Sequence, residues 1–266
     1  MKKFKVMANN VRGFKSKETM IKRIIAEEEP VIIGLVETKM DKEESLEIPG
    51  YENKRVDRIG EGGGVMLAFK RSLVNVIVIT AEYRLHDAEM LWARLDNGRI
   101  KLKIGVIYMP QESRTSKAKL TEIYEVIEKE ILSARHKQET VLILGDLNCK
   151  VGSMIRGNNS DIAKGGRLLL KMMKKCKMTM LNAEECCCGL WTRIEGSQKS
   201  VLDYILVNEE DVNLVNKTEI DEAKDVTPYH IERVNGKDER KYTDQCMMTT
   251  VMNIFMLDEK AKTLWW

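Results

Sequence analysis

The sequence predicts an α/β fold in which two mixed β-sheets pack face to face with helices outside. Three observations carry this: about nine short β-branched apolar runs, three helical patterns, and hairpin signals joining consecutive runs. Too many runs follow one another without a helix between them for a doubly wound parallel sheet.

The runs are Phe4 to Ala8, Val31 to Val36, Val65 to Phe69, Val74 to Thr80, Met90 to Leu95, Ile100 to Tyr108, Val141 to Leu144, Val201 to Val207 and Cys246 to Phe255. Helical spacing is expected over Lys17 to Glu29, Ser116 to Lys137 and Arg167 to Lys177. In the second, Leu120, Ile123, Tyr124, Ile127 and Ile131 form one apolar stripe, which is core. Asp96-Asn97-Gly98 is a hairpin turn between two runs, and Gly62-Gly63-Gly64 lies between two hairpin-like runs. The charged stretch from Glu232 to Lys241 is expected to be an exposed loop, and no linker or repeat divides the chain, so residues 1–266 are expected to form one domain.

A chain of 266 residues, 43% hydrophobic and 32% charged, can bury a large core. No run approaches the roughly 18 to 20 apolar residues needed to span a bilayer, and Met1-Lys2-Lys3-Phe4-Lys5 opens on charge rather than an apolar leader, so an intracellular protein, nuclear or cytoplasmic, is expected. Six cysteines, three of them adjacent at 186 to 188, suit reduced thiols filling a core better than disulfides or a zinc site, because no C-x-x-C pair occurs. The net charge of +3 and isoelectric point near 8.4 permit nucleic acid as a partner without selecting it. The densest basic stretch, Arg167 with Lys171, Lys174, Lys175 and Lys177, reads first as a solvated helix face and second as a phosphate contact.

The most informative segment is Gly145-Asp146-Leu147-Asn148, at the end of the buried run Val141 to Leu144. Residues i and i+2 of a strand share a face, so Asp146 and Asn148 can converge on one reacting atom, the first as proton acceptor or cation ligand and the second as donor and acceptor to a water or oxyanion. A plain strand exit, in which both residues only serve a turn, is the competing reading. Other strand ends also close on polar residues, in order Asn9-Asn10-Val11-Arg12-Gly13, Val36-Glu37-Thr38-Lys39, Ile107-Tyr108-Met109-Pro110, Leu202-Asp203-Tyr204 and Thr243-Asp244-Gln245.

With these motifs in this order, and G-G-G-V-M-L, G-G-R-L-L-L and W-T between them, the chain resembles the endonuclease/exonuclease/phosphatase superfamily over nearly its whole length. Within it, the chain looks most like the apurinic-type endonuclease domain of non-LTR (LINE-like) retrotransposons. The resemblance implies a four-layer α/β sandwich and a Mg²⁺ site, with Mn²⁺ as an alternative, at one edge of the sheets. It implies hydrolysis of phosphodiester or phosphomonoester bonds, with DNA as the partner.

Residue by residue, Glu37 matches the metal carboxylate, Asn10 the group supporting metal and phosphate, and Tyr108 a phosphate-contacting hydroxyl. Asp146 and Asn148 match the pair that activates and orients water. Asp203 matches the carboxylate that positions a histidine, and Asp244 the metal-side carboxylate preceding that histidine. Four carboxylates in one cleft repel, so the resemblance carries its own requirement for a divalent cation.

The histidine itself is replaced by Gln245, which can donate a hydrogen bond but cannot carry charge or shuttle a proton. If the histidine acts through either, the loss costs on the order of 10²–10⁴ in rate. Milder departures are Asn9, where an aromatic residue is common, and Val201, where an arginine is. The histidines present, His86, His136 and His230, lie outside the motifs; only His230, in a loop leading towards Asp244, is a candidate substitute base. The expected function is an impaired nicking endonuclease, with a relic that only binds nucleic acid or protein, or a phosphatase, as alternatives. The 266 residues themselves include no reverse-transcriptase segment, Asp258 to Trp266 following shortly after the last expected strand.

Overall fold

A computed structural model describes residues 4–58, 62–155, 161–234, 237–242 and 244–253. In chain order the first half comprises β1 (Phe4–Asn10), α1 (Glu18–Glu28), β2 (Ile32–Val36), β3 (Tyr51–Val56), β4 (Val65–Lys70), β5 (Ile77–Leu85), β6 (Ala88–Asp96), β7 (Lys101–Tyr108) and α2 (Lys117–His136). The second half begins with β8 (Thr140–Asp146), α3 (Lys164–Cys176), β9 (Met178–Met180), β10 (Cys187–Cys188), β11 (Arg193–Glu195) and β12 (Gln198–Ser200). It ends with β13 (Asp203–Asn208), β14 (Val215–Ile220), β15 (Tyr229–Val234), β16 (Lys237–Tyr242) and β17 (Met248–Met252).

Two large sheets form, in the strand orders β10-β14-β17-β1-β2-β4-β3 and β5-β6-β7-β8-β13-β9. Their facing sides share one core, including Phe4, Ile32, Leu67, Leu91, Ile104, Leu142 and Ile205. Gly34 sits at a close approach of the two sheets: a Cβ there would lie 3.1 Å from Leu144 Cδ1 of the opposite sheet. On the outer face of the six-stranded sheet, Leu120, Ile123, Ile127 and Ile131 of α2 and Leu169, Met172 and Met173 of α3 pack against Ile107, Val141 and Ile143. On the other side, Ile21 and Ile25 of α1 pack against Ile33, Leu35 and Met66. The result is the expected four layers.

Local chemistry explains the helix limits. Ser116 caps α2 by accepting from Lys119 N, and α1 stops where Glu29 turns left-handed at φ +45°. The helix expected from Arg167 begins three residues earlier, because Gly165 and Gly166 let it pack tightly on the preceding loop; a Cβ on Gly166 would meet Lys150 O at 2.0 Å. No helix among the described residues is long and apolar enough to cross a membrane.

The structure corrects several expectations. Within the expected loop from Glu232 to Lys241, residues 232–234 and 237–241 instead pair in an antiparallel ribbon, β15 with β16, whose ladder needs no apolar face. That places His230 on a strand, opposite Lys241, and it makes no hydrogen bond or ion pair with the polar strand ends among the described residues. Strands β3 and β14, sequences YENKRV and VNKTEI, carry too few apolar residues to stand out. The expected strand Val74 to Thr80 starts only at Ile77 and continues to Leu85. Cys149, Cys176 and Cys246 are buried fillers, whereas Cys186 and Cys187 are half-buried and Cys188 is exposed on the edge strand β10. Thr243, the end of the expected final strand at 254–255 and Asp258 to Trp266 lie outside the described residues.

Candidate active site

Strands β1 and β2 run parallel in one sheet and β7 and β8 parallel in the other, and their C-terminal ends open onto the same edge of the sandwich. Asn10, Glu37, Tyr108 and Asp146 meet there. The Asn10 side-chain nitrogen donates to Glu37 Oε1 and to Asp146 Oδ2, both at 2.8 Å, joining two carboxylates from different sheets through one amide. Asn10 Oδ1 in turn accepts from Arg12 N at 3.1 Å.

The loops are built to hold this. Glu37 adopts φ +52°, and the segment after it is clasped by glycines: Thr38 N and Lys39 N donate to the Gly64 and Gly63 carbonyls at 3.2 and 2.9 Å. The buried Lys17 ammonium donates to the Val11 carbonyl at 2.9 Å and so anchors the turn after Asn10. At the other motif, Gly145 has φ +143°, and a Cβ there would stand 1.9 Å from Ile107 O. Only glycine lets β8 deliver Asp146 beside Tyr108.

The period-2 argument for Asp146 and Asn148 stops at Asp146, where β8 ends. Asn148 has φ +46°; its backbone N donates to Asp146 Oδ1 at 2.8 Å and its side-chain amide to Met109 O at 2.8 Å. Asn148 therefore orients Asp146 and ties the two loops together.

Asp203 lies directly across from Asp146 in the β8–β13 ladder. Its backbone N donates to Thr192 Oγ1 at 3.1 Å, while its buried Oδ1 has no hydrogen-bond partner among the described residues. The neighbours orient the buried Gln245 amide. With its nitrogen inward it donates to Asp203 Oδ2 at 2.9 Å and to Thr192 O at 3.2 Å.

Asp244 faces two cations. Arg12 Nη1 forms an ion pair with one carboxylate oxygen at 2.8 Å, and Arg193 Nε donates to the other at 2.6 Å. Arg193 arrives because β11 is clasped to the last motif, with Ile194 N donating to Asp244 O at 2.6 Å and Cys246 N to Thr192 O at 2.7 Å. Neither arginine stands out in the sequence as a site residue. Arg12 had a signal, its place in N-V-R-G, whereas Arg193 lies on a three-residue strand with no pattern of its own.

Electrostatics set the state of the cluster. Burial pushes the Asp146 carboxyl up to about 7, and Glu37 adds to it, against the lowering effect of the Asn10 and Asn148 hydrogen bonds. Burial and then the Asp146 charge drive Asp203 far above the usual carboxylate range. Burial, with Glu37 and Asp146, likewise raises the Tyr108 hydroxyl, which thus stays protonated and able to donate.

A folded-state pKa near 7 against about 3.9 in the unfolded chain means the fold favours protonated Asp146. The associated stability is complete below about pH 4 and is lost as the pH rises through 7. In chelator, the melting temperature is therefore expected to fall between about pH 4 and pH 7 by the equivalent of a few kcal/mol, and less in Asp146→Asn. Thermal melts of both proteins across this range check it; equal slopes would refute it.

The donor set suits a hard cation. Glu37 and Asp146 present carboxylate oxygens joined at Asn10, and the orphaned Asp203 Oδ1 is a buried acceptor without a donor. Among the described residues, however, no three Asp, Glu, His or Cys side chains converge on one point, so any cation would need water or substrate oxygens to complete its shell.

Residues 10–225 match a family model described as the Endonuclease/Exonuclease/phosphatase family. No curated protein sequence matches the chain. Among solved structures, the fold is similar to an AP endonuclease from Leishmania major, with TM-score 0.72 and 14% identity over 94% of this chain and 87% of that one. It is also similar to the endonuclease domain of TRAS1, a telomere-specific non-LTR retrotransposon, at TM-score 0.63 and 15% identity over 94% and 98%. A 3′ phosphatase from Neisseria bound to product DNA hairpin aligns at TM-score 0.66 and 13% identity over 94% and 99%. At such identities the likeness is one of fold.

Proposed function

The chain belongs to the endonuclease/exonuclease/phosphatase family, and from that premise we propose that it is a divalent-metal-dependent phosphodiester hydrolase that nicks DNA, of the retrotransposon type. The observation that carries the proposal is the single amide of Asn10 bridging Glu37 and Asp146 at 2.8 Å each. Two carboxylates so close, one of them pushed up to about 7, suit a site meant to receive a cation.

In this reading Glu37, with Asn10, would hold Mg²⁺ or Mn²⁺, which when bound neutralises phosphate charge and lets Asp146 ionise. Asp146 then accepts the proton of the attacking water, oriented from its other side by Asn148. The water oxygen bonds to phosphorus as the bond to the leaving sugar oxygen breaks, and that oxygen takes up a proton from solvent water. Tyr108 donates to a phosphate oxygen. Asp244, expected at the metal, forms ion pairs with Arg12 and Arg193, which bring two positive charges to the edge. Gln245, held to Asp203 and Thr192 by its amide nitrogen, supplies neither a charge nor a proton there.

Gln245 also favours a second reading, a copy that binds nucleic acid without cutting it. A panel of supercoiled plasmid, abasic duplex and inositol phosphates, each with Mg²⁺ or with chelator, separates the readings. The expected result is slow nicking of plasmid that chelator abolishes. Phosphate release from inositol phosphates without nicking would identify a phosphatase; no reaction with any substrate would leave the binding-only reading.

A further inference from the structure

Helices α2 and α3 both start at the catalytic edge, one after β7 and one after β8, and a cleft of about 390 Å³ opens between their first turns. Lys117 and Thr121 line it from α2, and Lys164, Arg167, Leu168 and Lys171 from α3. We propose that this cleft binds the sugar-phosphate backbone of a nucleic-acid strand, as a second site beyond the carboxylate cluster.

Four cations face one cavity, and none of them forms an ion pair among the described residues. The basic residues elsewhere on these helices that do pair, Lys175 with Glu128 and Arg135 with Glu210, lie towards the other end. Helix α3, of sequence KGGRLLLKMMKKC, contains no acidic residue at all. Lys164 is steered by its hydrogen bond to Thr115 O at 2.7 Å, which leaves its other donors for a ligand. Thr121 adds a hydroxyl, although it also donates to Lys117 O at 2.9 Å. Like charges gathered without an ion-pair partner among the described residues repel one another, so the arrangement is relieved by an anion.

The spacing selects a polymer over a single phosphate. Lys164, Arg167 and Lys171 follow one another along α3 at intervals of about one helical turn, roughly 5 Å of rise. A row of cations meets successive phosphates of a chain, whereas one small anion needs them converged. The volume suits a short stretch of one strand and is too small for a duplex. Leu168 in the lining offers an apolar surface to a sugar.

Position connects the cleft to the catalytic edge. Gly165 N donates to Glu112 Oε2 at 2.9 Å and Ala163 N to Lys150 O at 3.0 Å, so the first turn of α3 rests on the two loops that follow Tyr108 and Asp146. A strand leaving that edge across these loops enters the cleft. The choice of nucleic acid as ligand rests on the hydrolase reading above; the cleft's binding does not require hydrolysis.

The test is fluorescence anisotropy with a labelled single-stranded DNA oligonucleotide, in chelator, for the full chain and two charge-matched variants. The first combines Lys117→Gln, Arg167→Gln and Lys171→Gln; the second combines Lys54→Gln, Arg71→Gln and Lys217→Gln, three exposed residues outside the cleft. Lys164 is retained in the first so that its structural hydrogen bond survives, and thermal melts confirm that both fold. The expected result is a loss of about tenfold or more in affinity for the cleft variant only. Its log K against log [salt] slope should flatten by about 0.7 for each lost phosphate contact.

Equal losses in the two variants would overturn the proposal. So would cleft-dependent binding of inositol hexakisphosphate with DNA binding unchanged, which would mark a small-phosphate site. A chain that binds DNA through the cleft but nicks nothing with Mg²⁺ keeps this site and loses the hydrolase reading; one that nicks with an unaltered cleft variant does the reverse.

Discussion

Gln245→His is expected to raise Mg²⁺-dependent nicking of supercoiled plasmid by on the order of 10²-fold or more. The position is prepared for an imidazole: it is buried beside Asp203, whose Oδ2 already receives the Gln245 amide at 2.9 Å. An imidazole nitrogen donating along the same line would be oriented by Asp203, leaving the other nitrogen to carry a proton or positive charge towards the substrate. Its charge would also relieve the Asp203 carboxyl, which burial and Asp146 now hold far above its usual range. An unchanged rate in a folded variant would mean that Arg12 and Arg193 already supply the positive charge. Arg12→Gln would then be the variant that loses activity.

Glu37→Ala is expected to remove the metal response, with nicking falling by on the order of 10²–10³-fold. The substitution deletes the carboxylate that shares Asn10 with Asp146, and with it a hard-cation ligand. Stability in chelator should not fall in step, because the lost carboxylate is one that raises the pKa of Asp146 by repulsion. Nicking assays over a Mg²⁺ titration, together with melts in chelator, read the two effects separately. Nicking that persists at wild-type Mg²⁺ dependence would move the cation away from Glu37.

Much of the architecture was legible because burial writes itself into the chain at short range. Val141 to Leu144 is a β-branched and leucine run that stays buried on both faces, and Leu120, Ile123, Ile127 and Ile131 recur at helical spacing. Where a strand is held by its ladder rather than by apolar burial, that signal fails. β15 and β16 pair through six residues each with charges along both strands, and they read as a loop. β14 escaped for the same reason, its burial depending on neighbours β10 and β17.

The candidate site divides in the same way. Sequence by itself determined which polar residues terminate apolar runs, and hence that Asn10, Glu37, Tyr108 and Asp146 would stand at strand ends; their order along the chain pointed to the family. Only the tertiary structure decided how they are partnered. Asn10 reaches Asp146 across 136 positions of sequence, Arg193 reaches Asp244 across 51, and the α2–α3 cleft joins Lys117 to Arg167. No local period encodes such pairings, because they depend on where two sheets and a clasping ribbon bring distant strand ends, and on glycines whose missing Cβ atoms allow the approach. The Gln245 amide shows the limit most plainly. Its identity announces a missing charge, but its burial against Asp203 and the two arginines paired with the preceding Asp244 exist only in the folded chain.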